Sequence, residues 1–348
     1  MIPAIAEAIA AEGPLPLARA MAMAADHYYA TREPFGPAGD FVTAPEISQM
    51  FGELIGLWLA DYWQRAGAPA PFVLAELGPG RGTLMEDALR AAGKALPAFA
   101  EAAQVHLVER SPRLTLLQKA RVPQAVHHAD LSTLPTGMPL LLVANEFLDA
   151  LPLTQMERTA DGWALRRVAA DGWDLGLEAN PALVPAVLRD AAPGDVLERN
   201  FAAESLVSAV AKRIAADGGA ALFIDYGYVG PALGDTLQAI LNGAFADPLQ
   251  TLGEADLSAH VDFGRVASVA APHADISGPV SQAAFLETLG IGQRAEALKR
   301  LASIERAAEV EAARTRLTSA GAMGRLFQCI GISARGWPEP AGFPNLAG

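Results

Sequence analysis

The sequence predicts an α/β fold built around a parallel sheet, and three observations carry that prediction. Residues 72–89, FVLAELGPGRGTLMEDAL, pass from an apolar run into a glycine-rich turn and then into the helical spacing of Leu84, Ala88 and Leu89, which is strand, turn and helix in succession. Further short apolar runs follow with helical segments between them, the spacing of βαβ units. Acids and amides stand just after these runs, at the carboxyl ends of strands, where parallel sheets place the groups that meet ligands.

The glycine turn is the most informative stretch. Gly78, Gly80 and Gly82 fit G-x-G-x-G, whereas a dinucleotide fingerprint requires glycine at position 83, where Thr83 stands. Glu76 lies inside the end of the strand. A carboxylate there would repel a pyrophosphate and suits a cationic amino-acid group, so the turn reads as a nucleoside site for S-adenosylmethionine, with a weaker claim for NAD. A glycine turn without any ligand is the bland alternative.

Composition narrows the function classes. The 348 residues can bury one large core or two modest ones. Lys plus Arg number 26 against 39 Asp plus Glu, a net charge of −13, which argues against nucleic-acid binding and favours a cationic partner. The single Cys329 excludes a disulfide framework and reads as a small buried hydrophobe, and no zinc-ligand spacing is present. The longest apolar stretches, such as MPLLLVA at 138–144, are too short to span a bilayer, and the N-terminus lacks the basic start of a signal peptide. The expectation is a soluble, cytoplasmic protein with no membrane span.

Taken in order, residues 2–30 carry helical spacing, broken by Gly13, Pro14 and Pro16 and ended by Tyr28 and Tyr29, before a Pro/Gly-rich loop, TREPFGPAGDF. Thr43-Ala-Pro-Glu46 reads as a capping box leading into a helix with Ile47, Phe51, Leu54, Ile55, Trp58, Leu59 and Tyr62 on one face; Thr43 and Glu46 are either caps or ligand groups. The helix at 83–93 leads to a second strand, Val105–Val108, ending in Glu109, where doubly wound folds place the acid that takes ribose hydroxyls. Ser111 and Pro112 open another helix, containing Leu114, Leu117 and Gln118. A third strand, Ala125–His128, precedes Asp130. The fourth, Leu140–Ala144, is followed by Asn145-Glu146-Phe147-Leu148-Asp149, two carboxylates and an amide at the reactive edge, although one of the acids could simply cap the next helix.

From 153 to 177 the pattern alternates, with Asp161-Gly162 and Asp171-Gly172 as turns, and predicts an inserted β meander. A helix over 201–216 leads to a fifth strand, Ala220–Ile224, and then to an irregular segment over 229–264. Helices at 281–289, 293–301 and 303–318 precede a closing strand, Leu326–Ile332, and a loosely ordered tail from Gly336. The organisation expected is a helical cap over 1–65 and a core over 70–348 with insertions at 150–216 and 229–275.

Four motifs resemble the MidA family of class I S-adenosylmethionine-dependent methyltransferases, relatives of a mitochondrial complex I assembly factor that methylates arginine. They are GDFVTAPEISQMFGE at 39–53, ELGPGRGTLMEDAL at 76–89, NEFLDALP at 145–152 and GEADLSAHVDFG at 253–264, with shorter echoes in VHLVERSP, DYGY and MGRLFQ. The second is generic to methyltransferases, and the other three are specific to the family. The resemblance implies a seven-stranded Rossmann-like sheet, S-adenosylmethionine as cofactor and a protein substrate bearing a target arginine. By motif, Glu76, Gly78, Gly80 and Gly82 would hold the methionine end of the cofactor, Glu109 the ribose, and Asp130 with Leu131 the adenine. Thr43, Pro45 and Gln49 would close over it. Asn145, Glu146 and Asp149 would face the transferred methyl, with His260 and Asp262 approaching from the inserted loop. A small-molecule methyltransferase and a non-catalytic assembly factor are the rivals. An NAD enzyme fails on the third glycine.

Overall fold

Phe72–Leu77 (β1), Ala103–Val108 (β2), Val126–His128 (β3), Leu140–Asn145 (β4), Gly219–Tyr228 (β5), Asp275–Ser281 (β6) and Phe327–Ser333 (β7) form a sheet in the order β6-β7-β5-β4-β1-β2-β3. β1 and β4 are buried at every position, each lying between two neighbouring strands inside the sheet, which accords with their reading as unbroken apolar runs rather than alternations. β5, β4, β1, β2 and β3 pair in parallel, and β7 enters antiparallel between β5 and β6. The seven-strand path has the Rossmann-like order expected, and Val261–Asp262 adds a short eighth pairing on β5. The structure is a computed structural model and describes residues 1–32 and 42–344. The loop expected over 31–41 therefore lies, from residue 33 onward, outside the described residues, as does the start of the first motif.

The chain divides into two compact units. One comprises Val42–Phe147, Val207–Gly227 and Ala267–Gly348 and contains the sheet; the other comprises Met1–Phe41, Leu148–Leu206 and Tyr228–Val266. The expected N-terminal cap over 1–65 is thus shared between them. In the sheet unit, Gln49–Arg65 (α1) buries Phe51, Ile55, Trp58 and Tyr62 against the helix Thr83–Ala95 (α2) and the core, each such side chain contributing about 1.5–3 kcal/mol. Gly56 permits the close approach: a Cβ there would lie 2.3 Å from the Ala88 carbonyl oxygen. The helix Pro112–Arg121 (α3) follows β2, with Leu114 and Gln118 on its buried face.

In the other unit, the meander Thr154–Arg158, Trp163–Ala169 and Gly172–Glu178 is present, joined by Leu15–Pro16 and by a strand, Val196–Arg199, that the sequence does not disclose. The helices Pro3–Glu12 and Leu17–Thr31 supply Ile5, Ile9, Leu17 and Met21 to a core with Val168, Leu252 and Leu257. The segment expected to be irregular over 229–264 contains a small antiparallel sheet, Ala244–Ala246, Gln238–Leu241 and Asp256–Ser258.

Three expectations about the sheet unit are corrected. β6 is a strand the sequence reading does not include; it absorbs Gly278-Pro279 in a register shift between Ser277 and Val280, at the sheet's edge, where a residue without an N–H is tolerated. The tail is packed rather than loose as far as residue 344, where the described residues end: Trp337 stacks on Tyr62 at 6.4 Å between centroids, Phe343 meets Phe285 at 5.2 Å, and the Ala341 carbonyl accepts from the Trp58 indole at 2.9 Å. The capping box does not form. Thr43 precedes a single turn, Ala44–Ile47, without a side-chain cap, and Ser48 caps α1 by accepting from the Met50 N–H at 3.2 Å. Among the described residues no helix is long and apolar enough to cross a membrane, and no group of three or more His, Cys, Asp and Glu could hold a metal ion.

Candidate active site

β1 ends in a turn that only glycine makes cheaply. Gly78, Gly80 and Gly82 have φ of 60°, 52° and 84°, in the left-handed region, and a Cβ on Gly78 would sit 2.6 Å from the Phe147 ring. The backbone is thereby held open at the N-terminus of α2, which carries a partial positive charge. Glu76 stands just before the turn and is 3% exposed; its Oε2 has no hydrogen-bond partner among the described residues. Burial pushes its carboxyl up to about 8, against the opposing pull of the Met85 backbone N–H. A buried carboxylate with an open acceptor beside a glycine cradle fits the cationic amino end of S-adenosylmethionine. Glu46, set aside from capping, accepts from the Thr83 hydroxyl at 2.5 Å and pairs with Arg81 at 3.5 Å, so the segment after residue 42 is latched to the glycine turn.

Glu109 follows β2. Its Oε1 accepts from the Ser111 N–H at 2.8 Å and its Oε2 from the Gln118 amide at 3.2 Å; burial raises its pKa, and those two bonds and the Arg110 N–H oppose the rise. Gln118 Nε2 also donates to the Gly80 carbonyl at 2.8 Å. Sequence reasoning places Gln118 on a helix but gives it no part in the site, since a lone Gln in an amphipathic helix carries no chemical signal. Asp130 accepts from the Ser132 N–H at 2.8 Å and caps the short turn Leu131–Thr133; its side-chain and backbone bonds with Ser132 lower its pKa. Asp130 is exposed and Leu131 half-buried.

At the end of β4, Asn145 is buried and Glu146 adopts φ of 51°, a left-handed conformation that costs a non-glycine residue about 1–2 kcal/mol. The strain is held by the Glu146 N–H donating to the Ile224 carbonyl at 2.9 Å, and by Phe147 N–H donating to the buried Asp225 carboxylate at 3.1 Å. Glu146 Oε1 accepts from Asn145 Nδ2 and from the Ala44 N–H, both at 2.9 Å. Thr43 and Ala44 are thus brought to the end of β4, Pro45 sits within the latched turn, and Gln49 is exposed at the start of α1.

The remaining candidates belong to the other unit. Asp149 is 8% exposed, and its carbonyl accepts from the Ala259 N–H at 3.0 Å, one residue before His260. Asn200 grips the same turn, donating to the carbonyls of Leu148 and Leu151 at 3.1 Å each, and has no sequence signal beyond a helix-cap position. Tyr29 donates to Asp256 at 2.9 Å; its hydroxyl is held far above its ordinary pKa by burial, by Asp256 and by the charge of Asp149. His260 is half-buried, and burial lowers its pKa. Asp262 is engaged structurally. Its Oδ1 accepts from the Gly230 N–H at 3.0 Å and the Arg265 N–H at 3.1 Å, capping the helix Phe263–Ala270. His260 and Asp262 line a cavity of about 20 Å³ with Tyr228, Glu198 and the Arg199–Glu204–Arg265 ion pairs.

Residues 54–280 match the family model described as "Putative S-adenosyl-L-methionine-dependent methyltransferase". Among curated proteins, the protein arginine methyltransferase NDUFAF7 homolog, mitochondrial, of Drosophila melanogaster is 35% identical over 93% of this chain and 82% of its own length. The mitochondrial protein arginine methyltransferase NDUFAF7 of Homo sapiens is 34% identical over 78% of this chain and 68% of its own. A crystal structure of a likely methyl transferase from Burkholderia thailandensis bound to S-adenosyl-homocysteine superposes with a TM-score of 0.84 at 27% identity, covering 97% of this chain and 92% of that one. These names correct the cytoplasmic expectation: the relatives in fly, zebrafish and human are mitochondrial, a distinction that net charge, cysteine content and the lack of an apolar span do not register. With the seven-stranded sheet and its glycine cradle, they establish that the chain belongs to the MidA family of S-adenosyl-L-methionine-dependent methyltransferases.

Proposed function

We propose that this methyltransferase acts on an arginine side chain of a partner protein, and that the carboxylates following β4 receive the guanidinium. The observation that carries the proposal is Glu146, kept in a strained left-handed conformation at the end of β4 with Asn145 against its carboxylate and Asp149 three residues on. No helix follows β4, since the chain turns over residues 146–153 into the strand Thr154–Arg158, so neither acid is a helix cap, and a strained position of this kind is the sort that function retains. The curated relatives named as protein arginine methyltransferases support the same substrate class. The partner envisaged is a protein of a respiratory complex I-type assembly, not a nucleic acid.

S-adenosylmethionine supplies an electrophilic methyl on a sulfonium. Glu76 with Gly78, Gly80 and Gly82 would hold its amino-acid end, Glu109 the ribose, and Asp130 with Leu131 the adenine, while Thr43, Pro45 and Gln49 would cover it. Arginine keeps its proton far above neutral pH. Glu146 would therefore bind a cation, orient one of its nitrogens by charge-assisted hydrogen bonds, and offset the positive charge that develops there, and Asp149 is the second carboxylate that the family motif supplies. Asn145 would hold Glu146 in place. His260, whose pKa burial lowers, is a further candidate on the family motif alone. Asp262 would act at one remove, by fixing the loop that bears His260.

The test is incubation with methyl-labelled S-adenosylmethionine in a lysate of the source organism, followed by acid hydrolysis of labelled protein. Methylarginine is the expected product. Label confined to small metabolites, or to another residue type, would overturn the proposal.

A further inference from the structure

Gln118 is completely buried, yet its amide makes an uneven set of contacts. Its Nε2 donates to the Gly80 carbonyl at 2.8 Å and to Glu109 Oε2 at 3.2 Å, while its Oε1 has no partner among the described residues. The orientation is fixed by chemistry: both contacted atoms are acceptors, so the NH₂ must face them and the carbonyl must turn away. A buried acceptor left without a donor is a cost that native cores generally avoid. Here it accompanies a single nitrogen that ties the glycine turn after β1 to the acid after β2. Gly82 is a neighbour of the same residue, for a Cβ there would lie in ordinary contact, 3.5 Å from the Gln118 Cα.

We propose that Gln118 is a positioning residue for the cofactor: its amide locks the Gly80 backbone and the Glu109 carboxylate into one cradle, so that the two ends of the nucleoside site are set together. This rests on the assignment of Glu109 and the glycine turn to S-adenosylmethionine. Other donors on Glu109, the N–H groups of Ser111 and Arg110, come from its own loop and cannot register it against the glycine turn. Gln118 alone, among the described contacts of Glu109, reaches both.

The experiment is a double-mutant cycle read by calorimetry with S-adenosylhomocysteine on the full chain. Gln118→Leu keeps the volume and removes both hydrogen bonds; it is expected to weaken binding about tenfold, the scale of one hydrogen bond to a charged group. It should raise KM for S-adenosylmethionine by a similar factor while leaving kcat at saturation within about twofold, a split that simple loss of stability would not produce. In a Glu109→Ala background the same substitution should cost at least threefold less, because the amide has lost one of its two clients. Should Gln118→Leu fail to fold, Gln118→Met is read in the same cycle. Wild-type affinity in the Gln118 variant, or effects that multiply fully in the double variant, would overturn the positioning role while leaving the cofactor site intact. Wild-type affinity in Glu109→Ala would instead overturn the ribose assignment.

Discussion

Glu76→Gln isolates the most perturbed carboxyl of the glycine cradle. Its folded-state pKa is raised from 4.5 to about 8 by burial, so between those values the folded chain binds a proton that the unfolded chain has released. Stability linked to this group is therefore fully present below pH 4.5 and is lost as pH rises towards 8. Each pKa unit is worth about 1.4 kcal/mol, which gives a loss of roughly 5 kcal/mol in full and about 3 kcal/mol by pH 7. Glutamine cannot ionise, so urea denaturation of the two proteins at intervals from pH 5 to pH 8 should show the wild type losing about 3–4 kcal/mol relative to the variant. The difference in slope is the measurement, since any fixed cost of the new amide cancels. The same group should release close to one proton when S-adenosylhomocysteine binds at pH 7, because a cationic amino group beside Oε2 favours the carboxylate. Calorimetry in buffers of unlike ionisation enthalpy counts that proton. Parallel stability curves, or binding with no proton exchange, would refute both the buried-acid argument and the placement of the amino end.

The other predictions concern the carboxylates and their supports. Asp149→Asn should leave S-adenosylhomocysteine affinity nearly unchanged while arginine methylation falls about a hundredfold or more, measured by steady-state label transfer. Glu109→Ala should weaken the cofactor by about 1.5–3 kcal/mol without unfolding the chain, as read by calorimetry beside a thermal melt. Asn200→Ala frees the turn that carries Asp149 and should lower kcat while sparing cofactor affinity, a pattern lost if the turn is held by other bonds. Hydrogen exchange over residues 42–52 should slow when S-adenosylhomocysteine binds, and Thr83→Ala, which removes the hydroxyl bonded to Glu46, should reduce that slowing.

The central βαβ unit is readable because its signals are local. Apolar runs buried on both faces, glycines with left-handed backbone and an acid one residue after a strand can each be seen in a short window, and β1, β2, β4 and Glu109 stand where the sequence places them. What escapes depends on partners far along the chain. β6 contains Gly278-Pro279 and becomes a strand only because β7 offers it a ladder across the register shift. Gln118 looks like any polar residue on a helix until Gly80, 38 positions away, is seen to share its nitrogen. Thr43 and Glu46 have the right spacing for a capping box, but the Thr83 hydroxyl and Arg81 win the competition for the carboxylate. Asp262 lies in a motif specific to the family, and the sequence does not separate a reacting carboxylate from one that caps a helix.

The two flanks of the large sheet carry a consequence for how this protein meets others. One flank is β6, interrupted by a proline and a shifted register, and the other is β3, three residues long. Neither offers the long flat row of unpaired N–H and C=O groups onto which a foreign strand can zip. Backbone pairing of a partner along this sheet is therefore disfavoured at both sides by these two irregularities. A partner that reads this sheet must therefore do so through side chains, where a single substitution can change recognition without disturbing the scaffold.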